Sequence, residues 1–142
     1  MNIYSMKKLV FIIDDDPVYL KFMTGHFNQM EEFQTQVFQS GTDALAALAT
    51  TKPFLIILDH MFLNDPKTGL EYLKEIRKKD SNVPVIYITA TNDDALRSKT
   101  SKLKVDHYIL KDDVFLMHLR TALDKLKNQP EKKGLLKKLF KK

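Results

Sequence analysis

Phe54-Leu55-Ile56-Ile57-Leu58-Asp59 decides the fold: five apolar residues in succession end in a carboxylate. A short apolar run with no polar alternation fits a strand covered by helices on both faces, because such a strand has no solvent side to mark. The run therefore carries Asp59 to the carboxyl edge of a parallel sheet. Open α/β sheets gather their chemistry at that edge, beside the strand where the order reverses.

On either side the same grammar repeats. Lys8–Ile13 reads as a second buried strand and stops in Asp14-Asp15-Asp16. Pro17 then suits the first turn of a helix running to about Gln29, with Asp16 or Asp15 as its cap and Leu20, Met23, Phe27 and Met30 inward. Phe33–Phe38 alternates like an edge strand, and Ala44–Ala49 is a helix of small residues behind the turn Ser40-Gly41-Thr42. Beyond Asp59, a loop spans His60–Thr68 and a helix Gly69–Lys79. A strand Val83–Ile88 ends in Thr89-Ala90, a polar helix covers Asp93–Lys102, and a short strand Tyr108–Leu110 ends in Lys111. A last helix carries Phe115, Leu119, Ala122, Leu123 and Leu126 on one face. Five strands alternating with five helices predict an α/β, doubly wound parallel sheet with right-handed crossovers.

Composition narrows the function. A chain of 142 residues fits one domain, and the absence of cysteine excludes disulfides and thiolate metal sites. No stretch approaches the roughly 20 apolar residues of a membrane span, so a cytoplasmic setting is expected. From Glu131 onward, six lysines against one acid carry the whole formal charge of +5, leaving residues 1–130 neutral. A nucleic-acid-binding domain usually wears its basic excess on the fold itself, so direct DNA binding is not expected.

The strand ends bring together Asp14, Asp15 and Asp16, then Asp59, Thr89 and Lys111. Crowded carboxylates repel one another and are commonly reconciled by a hard divalent cation with oxygen ligands, for which magnesium is the natural occupant. A lysine and a hydroxyl opposite them suit the oxygens of a phosphoryl group. With these residues, and with Tyr108 three positions before the lysine, the chain resembles the receiver domain of two-component response regulators over residues 7–127. The resemblance is to the single-domain, chemotaxis-regulator-like form.

The resemblance implies a flavodoxin-like (βα)5 fold with strand order 2-1-3-4-5. It implies that Asp59 accepts a phosphoryl group from a sensor histidine kinase or a phosphotransfer protein, and that the change is passed to a downstream protein target. Asp15, Asp59 and the backbone carbonyl of Met61 would hold Mg2+ or Mn2+, with Asp14 acting through water. Lys111 would bind a phosphoryl oxygen, Thr89 would move to bond another, and Tyr108 would turn inward behind it. The chain would be a switch with, at most, self-catalysed phosphorylation and dephosphorylation, and a homodimer on phosphorylation is compatible with this. Two departures stand out. The family glycine falls eight residues after the acceptor with a proline midway, whereas Gly69 comes ten after Asp59 and Leu63 occupies the proline position. Asp112 replaces the proline that follows the family lysine; a non-proline cis bond costs about 2.5–4 kcal/mol, so a trans bond is expected.

Plainer readings exist for each residue. Asp16 can simply cap a helix, Lys111 be solvated, Thr89 a strand residue and Tyr108 core, while His60 reads as a surface histidine. His26, His107 and His118 are not at metal-ligand spacing. A haloacid-dehalogenase-like phosphohydrolase would make Asp14 the nucleophile and Asp16 the acid–base, with Asp112-Asp113 in support, but leaves Asp59 idle. A receiver-like adaptor that does not take phosphate is a further alternative. Residues 128–142 form a separate basic tail in which Leu135, Leu136, Leu139 and Phe140 share a helical stripe, a pattern suited to an anionic membrane or an acidic partner.

Overall fold

Side chains alternate across a strand, so a strand of continuous apolar residues serves two cores at once. The computed structural model, which describes residues 6–128, is built on this division. Its elements are β1 (Lys8–Ile13), α1 (Pro17–Phe27), β2 (Phe33–Phe38), α2 (Gly41–Ala47), β3 (Leu55–Asp59), α3 (Gly69–Lys79), β4 (Val85–Thr89), α4 (Asp94–Lys102), β5 (His107–Leu110) and α5 (Phe115–Asn128). The five strands are parallel in the order β2-β1-β3-β4-β5. Val10, Ile12, Leu55, Ile57, Ile86 and Ile88 face α1 and α5, where they meet Met23, Phe27, Leu119 and Leu123. Phe11, Ile13, Ile56, Leu58, Val85 and Tyr87 face the other layer and pack on Tyr72, Leu73, Ile76 and Leu96. Cutting one of these fully buried aliphatics to alanine costs roughly 2–5 kcal/mol.

Element boundaries depart from the expected ones for identifiable reasons. The Ser40 hydroxyl accepts from Asp43 N–H at 3.3 Å, so α2 starts at Gly41 and not at Ala44. A Cβ at Gly41 would lie 2.5 Å from the Tyr72 ring, so the close approach of α2 to α3 needs glycine there. β4 starts at Val85 and not Val83, because Pro84 has no N–H to give the ladder. α1 closes at Phe27, where Asn28 N–H returns to Thr24 O at 2.8 Å, two residues before the expected end. Asp16, not Asp15, caps α1 by accepting from Val18 N–H at 2.9 Å.

The register aligns the functional strand ends. Ile13 pairs with Leu58, Asp59 with Ile88, and Thr89 with Leu110, so Asp14 just after β1, Asp59 and Thr89 at the ends of β3 and β4, and Lys111 just after β5 lie at one edge. Among the described residues, no helix is long and apolar enough to cross a membrane. The expected basic tail lies outside them, apart from Asn128.

Candidate functional site

Lys111 organises the edge. It leaves β5 with its N–H on Thr89 O at 2.8 Å, and its ammonium reaches Asp14 Oδ2 at 2.9 Å and Asp59 Oδ1 at 3.1 Å. No cis peptide bond occurs among the described residues, so the lysine is aimed inward with the expected trans bond to Asp112. The Tyr19 ring lies 4.4 Å from its Nζ and supports the cation from the α1 side. Burial pulls the Lys111 ammonium down, but the two carboxylates outweigh it and hold it above the ordinary lysine value.

Asp14 is fully buried and Asp59 is 3% exposed. Asp14 Oδ1 accepts from Asp16 N–H at 2.9 Å, while its Oδ2 has the Lys111 charge nearby but no aligned donor among the described residues. Burial first, and the Asp14 charge second, push the Asp59 carboxyl up to about 7 against the pull of Lys111. Asp15 is half-buried, and its Oδ2 accepts from Leu63 N–H at 2.7 Å. One oxygen from each of Asp14, Asp15 and Asp59 falls within 4.8 Å of the others. Three hard oxygen donors fit a hard divalent cation better than a soft one.

Thr89 is 2% exposed at the end of β4, and its Oγ1 accepts from Thr91 N–H at 3.1 Å, with no acceptor for its own proton among the described residues. The Tyr108 hydroxyl donates to Thr91 O at 3.1 Å, so Thr91 bonds to both residues. Tyr108 is neither free surface nor core. Its ring stacks on Tyr87 with centroids 6.0 Å apart, and the Arg97 guanidinium lies over the ring at 4.2 Å. Met61 sits in the loop after β3 with its side chain in solvent.

Two residues take structural roles at the site that the sequence did not assign them. His60, expected at the surface, is half-buried, and its Nδ1 bonds the Tyr87 hydroxyl at 2.5 Å. Burial lowers the His60 imidazole and raises the Tyr87 phenol, favouring the neutral form of each. A tyrosine within an otherwise apolar strand was the available signal, since a buried hydroxyl requires a partner. Gly69 is the second. Its N–H donates to His60 O at 2.7 Å, and a Cβ there would stand 2.1 Å from Asp59 O. The glycine thus lets α3 start against the backbone that presents Asp59.

The phosphohydrolase alternative finds no support here. Asp16 is committed to the α1 cap, and Asp112 is engaged in the turn before α5, accepting from Val114 N–H at 3.0 Å. Asp59, which that reading leaves idle, lies instead against the lysine.

Residues 10–124 match the response regulator receiver domain family. The DNA-binding response regulator MtrA of Mycolicibacterium smegmatis is 29% identical over 107 residues, covering 75% of this chain and 45% of that protein. The Regulator of RpoS of Escherichia coli is 31% identical over 114 residues, covering 80% of this chain and 33% of that one. The chain thus spans less than half the length of these curated relatives. Among solved structures, a receiver domain protein from Methanospirillum hungatei superposes with a TM-score of 0.78 at 20% identity, covering 89% of this chain and 99% of that one. The receiver domain of a putative Luxo repressor from Vibrio parahaemolyticus gives 0.80 at 20% identity, covering 92% and 98%. At these identities the superpositions establish the shared fold.

Proposed function

Since the chain belongs to the response regulator receiver domain family, we propose that it takes a phosphoryl group onto Asp59 from a histidine-borne donor and passes the change to a partner protein. The observation that carries this is the buried contact of Lys111 with both Asp14 and Asp59, beside Asp15 and Thr89. Asp59 attacks phosphorus in line; the P–N bond to the donor imidazole breaks as the P–O bond forms, and the imidazole, which already carries a proton on its other ring nitrogen, leaves neutral with the P–N electron pair. Lys111 holds a phosphoryl oxygen, and the Thr89 hydroxyl proton binds a second. Asp14, Asp15, Asp59 and the Met61 carbonyl are the groups that would hold Mg2+ or Mn2+. A bound cation neutralises charge on the transferring group.

Readout begins at Thr89. When its hydroxyl turns to the phosphoryl group, Thr91 loses a partner while its carbonyl still holds Tyr108, so the change reaches the Arg97-covered face of α4 and β5. Exposed Val18, Phe22, Met61, Val114 and Met117 around the site offer apolar contact to a donor protein. In this reading residues 7–127 are the receiver unit and 128–142 a basic extension. One relative is named as DNA-binding, so the expectation that this chain makes no direct DNA contact gains no support from the comparison.

The test is incubation with acetyl phosphate. Labelling is expected with Mg2+ or Mn2+ and lost in excess chelator. Full labelling in chelator would count against the cation, and no labelling under any condition would favour the adaptor that does not take phosphate.

A further inference from the structure

The loop after β3 is longer than the family pattern and carries leucine at position 63, where that pattern has proline. Leu63 uses what proline lacks. Its amide N–H donates to Asp15 Oδ2 at 2.7 Å, while its side chain is 84% exposed. The contribution of this position at the site is therefore its backbone. The donor is held by a framed loop: Phe62 is buried edge-on against Tyr72, the Tyr72 hydroxyl bonds Asp65, and Gly69 N–H closes the loop on His60 O. Lys111 pairs with Asp14 and Asp59, and the loop amide serves the third carboxylate of the cluster.

We propose that the Leu63 amide is a positioning group for Asp15, fixing its carboxylate in the orientation in which a divalent cation binds, so that replacing proline by leucine here tightens the cation site. The inference rests on Asp15 being a cation ligand. A carboxylate offers about four lone-pair sites, and the amide occupies one, leaving the rest for the ion. A ligand oriented before the ion arrives has less freedom to lose on binding. Groups that orient a ligand in this way typically change metal affinity by about 10–100-fold.

The probe is Mn2+ alone, titrated against the full chain without phosphodonor and followed by electron paramagnetic resonance of the free ion. Leu63→Ala keeps the N–H and should bind within about twofold of the wild type. Replacing Leu63 by its α-hydroxy acid analogue turns the amide into an ester with the side chain unchanged, and should weaken binding about tenfold or more. Leu63→Pro should weaken it similarly. An ester variant that binds as tightly as the wild type overturns the proposal, and does so even if Leu63→Pro is weak, because loop distortion then explains the proline. Asp15→Asn separates the two levels: if it binds Mn2+ as the wild type does, Asp15 is no ligand and both claims fall. If Asp15→Asn loses binding and the ester does not, the ligand reading stands and the role of Leu63 fails.

Discussion

Replacing Asp59 with asparagine should stabilise the metal-free fold, by an amount that grows with pH. In the folded protein the carboxyl sits at about 7, against an ordinary value of 3.8, chiefly because it is buried and secondarily because Asp14 lies beside it. Between those two values the folded state keeps a proton that the unfolded chain has lost, so wild-type stability falls as pH rises through this window and levels off above about 7. At roughly 1.4 kcal/mol per pH unit, the two units between pH 5 and 7 amount to about 3 kcal/mol. Asparagine has no such titration, and the Asp14–Lys111 pair is common to both proteins. The advantage of Asp59→Asn should therefore be about 3 kcal/mol larger at pH 8 than at pH 5. Urea unfolding in excess chelator at both pH values measures it. An advantage that is equal at the two pH values, or an Asp59→Asn protein less stable at pH 8, would refute the claim that Asp59 is a destabilised carboxylate held for its chemistry.

Lys111→Met should slow labelling by acetyl phosphate at least about 100-fold, as loss of a preorganised donor at a developing charge does; an initial rate within a few-fold of wild type would remove Lys111 from the site. Gly69→Ala should lower unfolding free energy by about 1–3 kcal/mol, because a Cβ 2.1 Å from Asp59 O forces the backbone apart, and an unchanged urea midpoint would contradict it. Removal of 132–142 should leave labelling of Asp59 unchanged but reduce binding to anionic vesicles at low salt, where equal binding would leave those lysines without this role.

What the sequence made legible was whatever a residue type announces. Apolar runs marked four of the five strands, and the acids, threonine and lysine that stop them marked the cluster at one edge, because a parallel sheet aligns its strand ends. The strand order came from family likeness. Other features depend on groups with no signature in residue type. The Leu63 amide is a backbone donor available at any residue but proline, so only its position gives it a role. Arg77 stands in the charged run Lys74–Lys79, yet its guanidinium bonds Leu103 O at 2.8 Å and Val83 O at 2.7 Å, clipping α3 to the turns before β4 and β5. The Tyr87 hydroxyl and its bond to His60 were masked by the apolar company that buries them.

The central claim is that Asp59, and not another acid of the cluster, becomes the aspartyl phosphate. Borohydride trapping after treatment with acetyl phosphate and Mg2+, followed by peptide mass spectrometry, reads the labelled residue directly. Reduction at Asp59 in the wild type and none in Asp59→Asn is the predicted result; label on Asp14 or Asp15 in the wild type would contradict it.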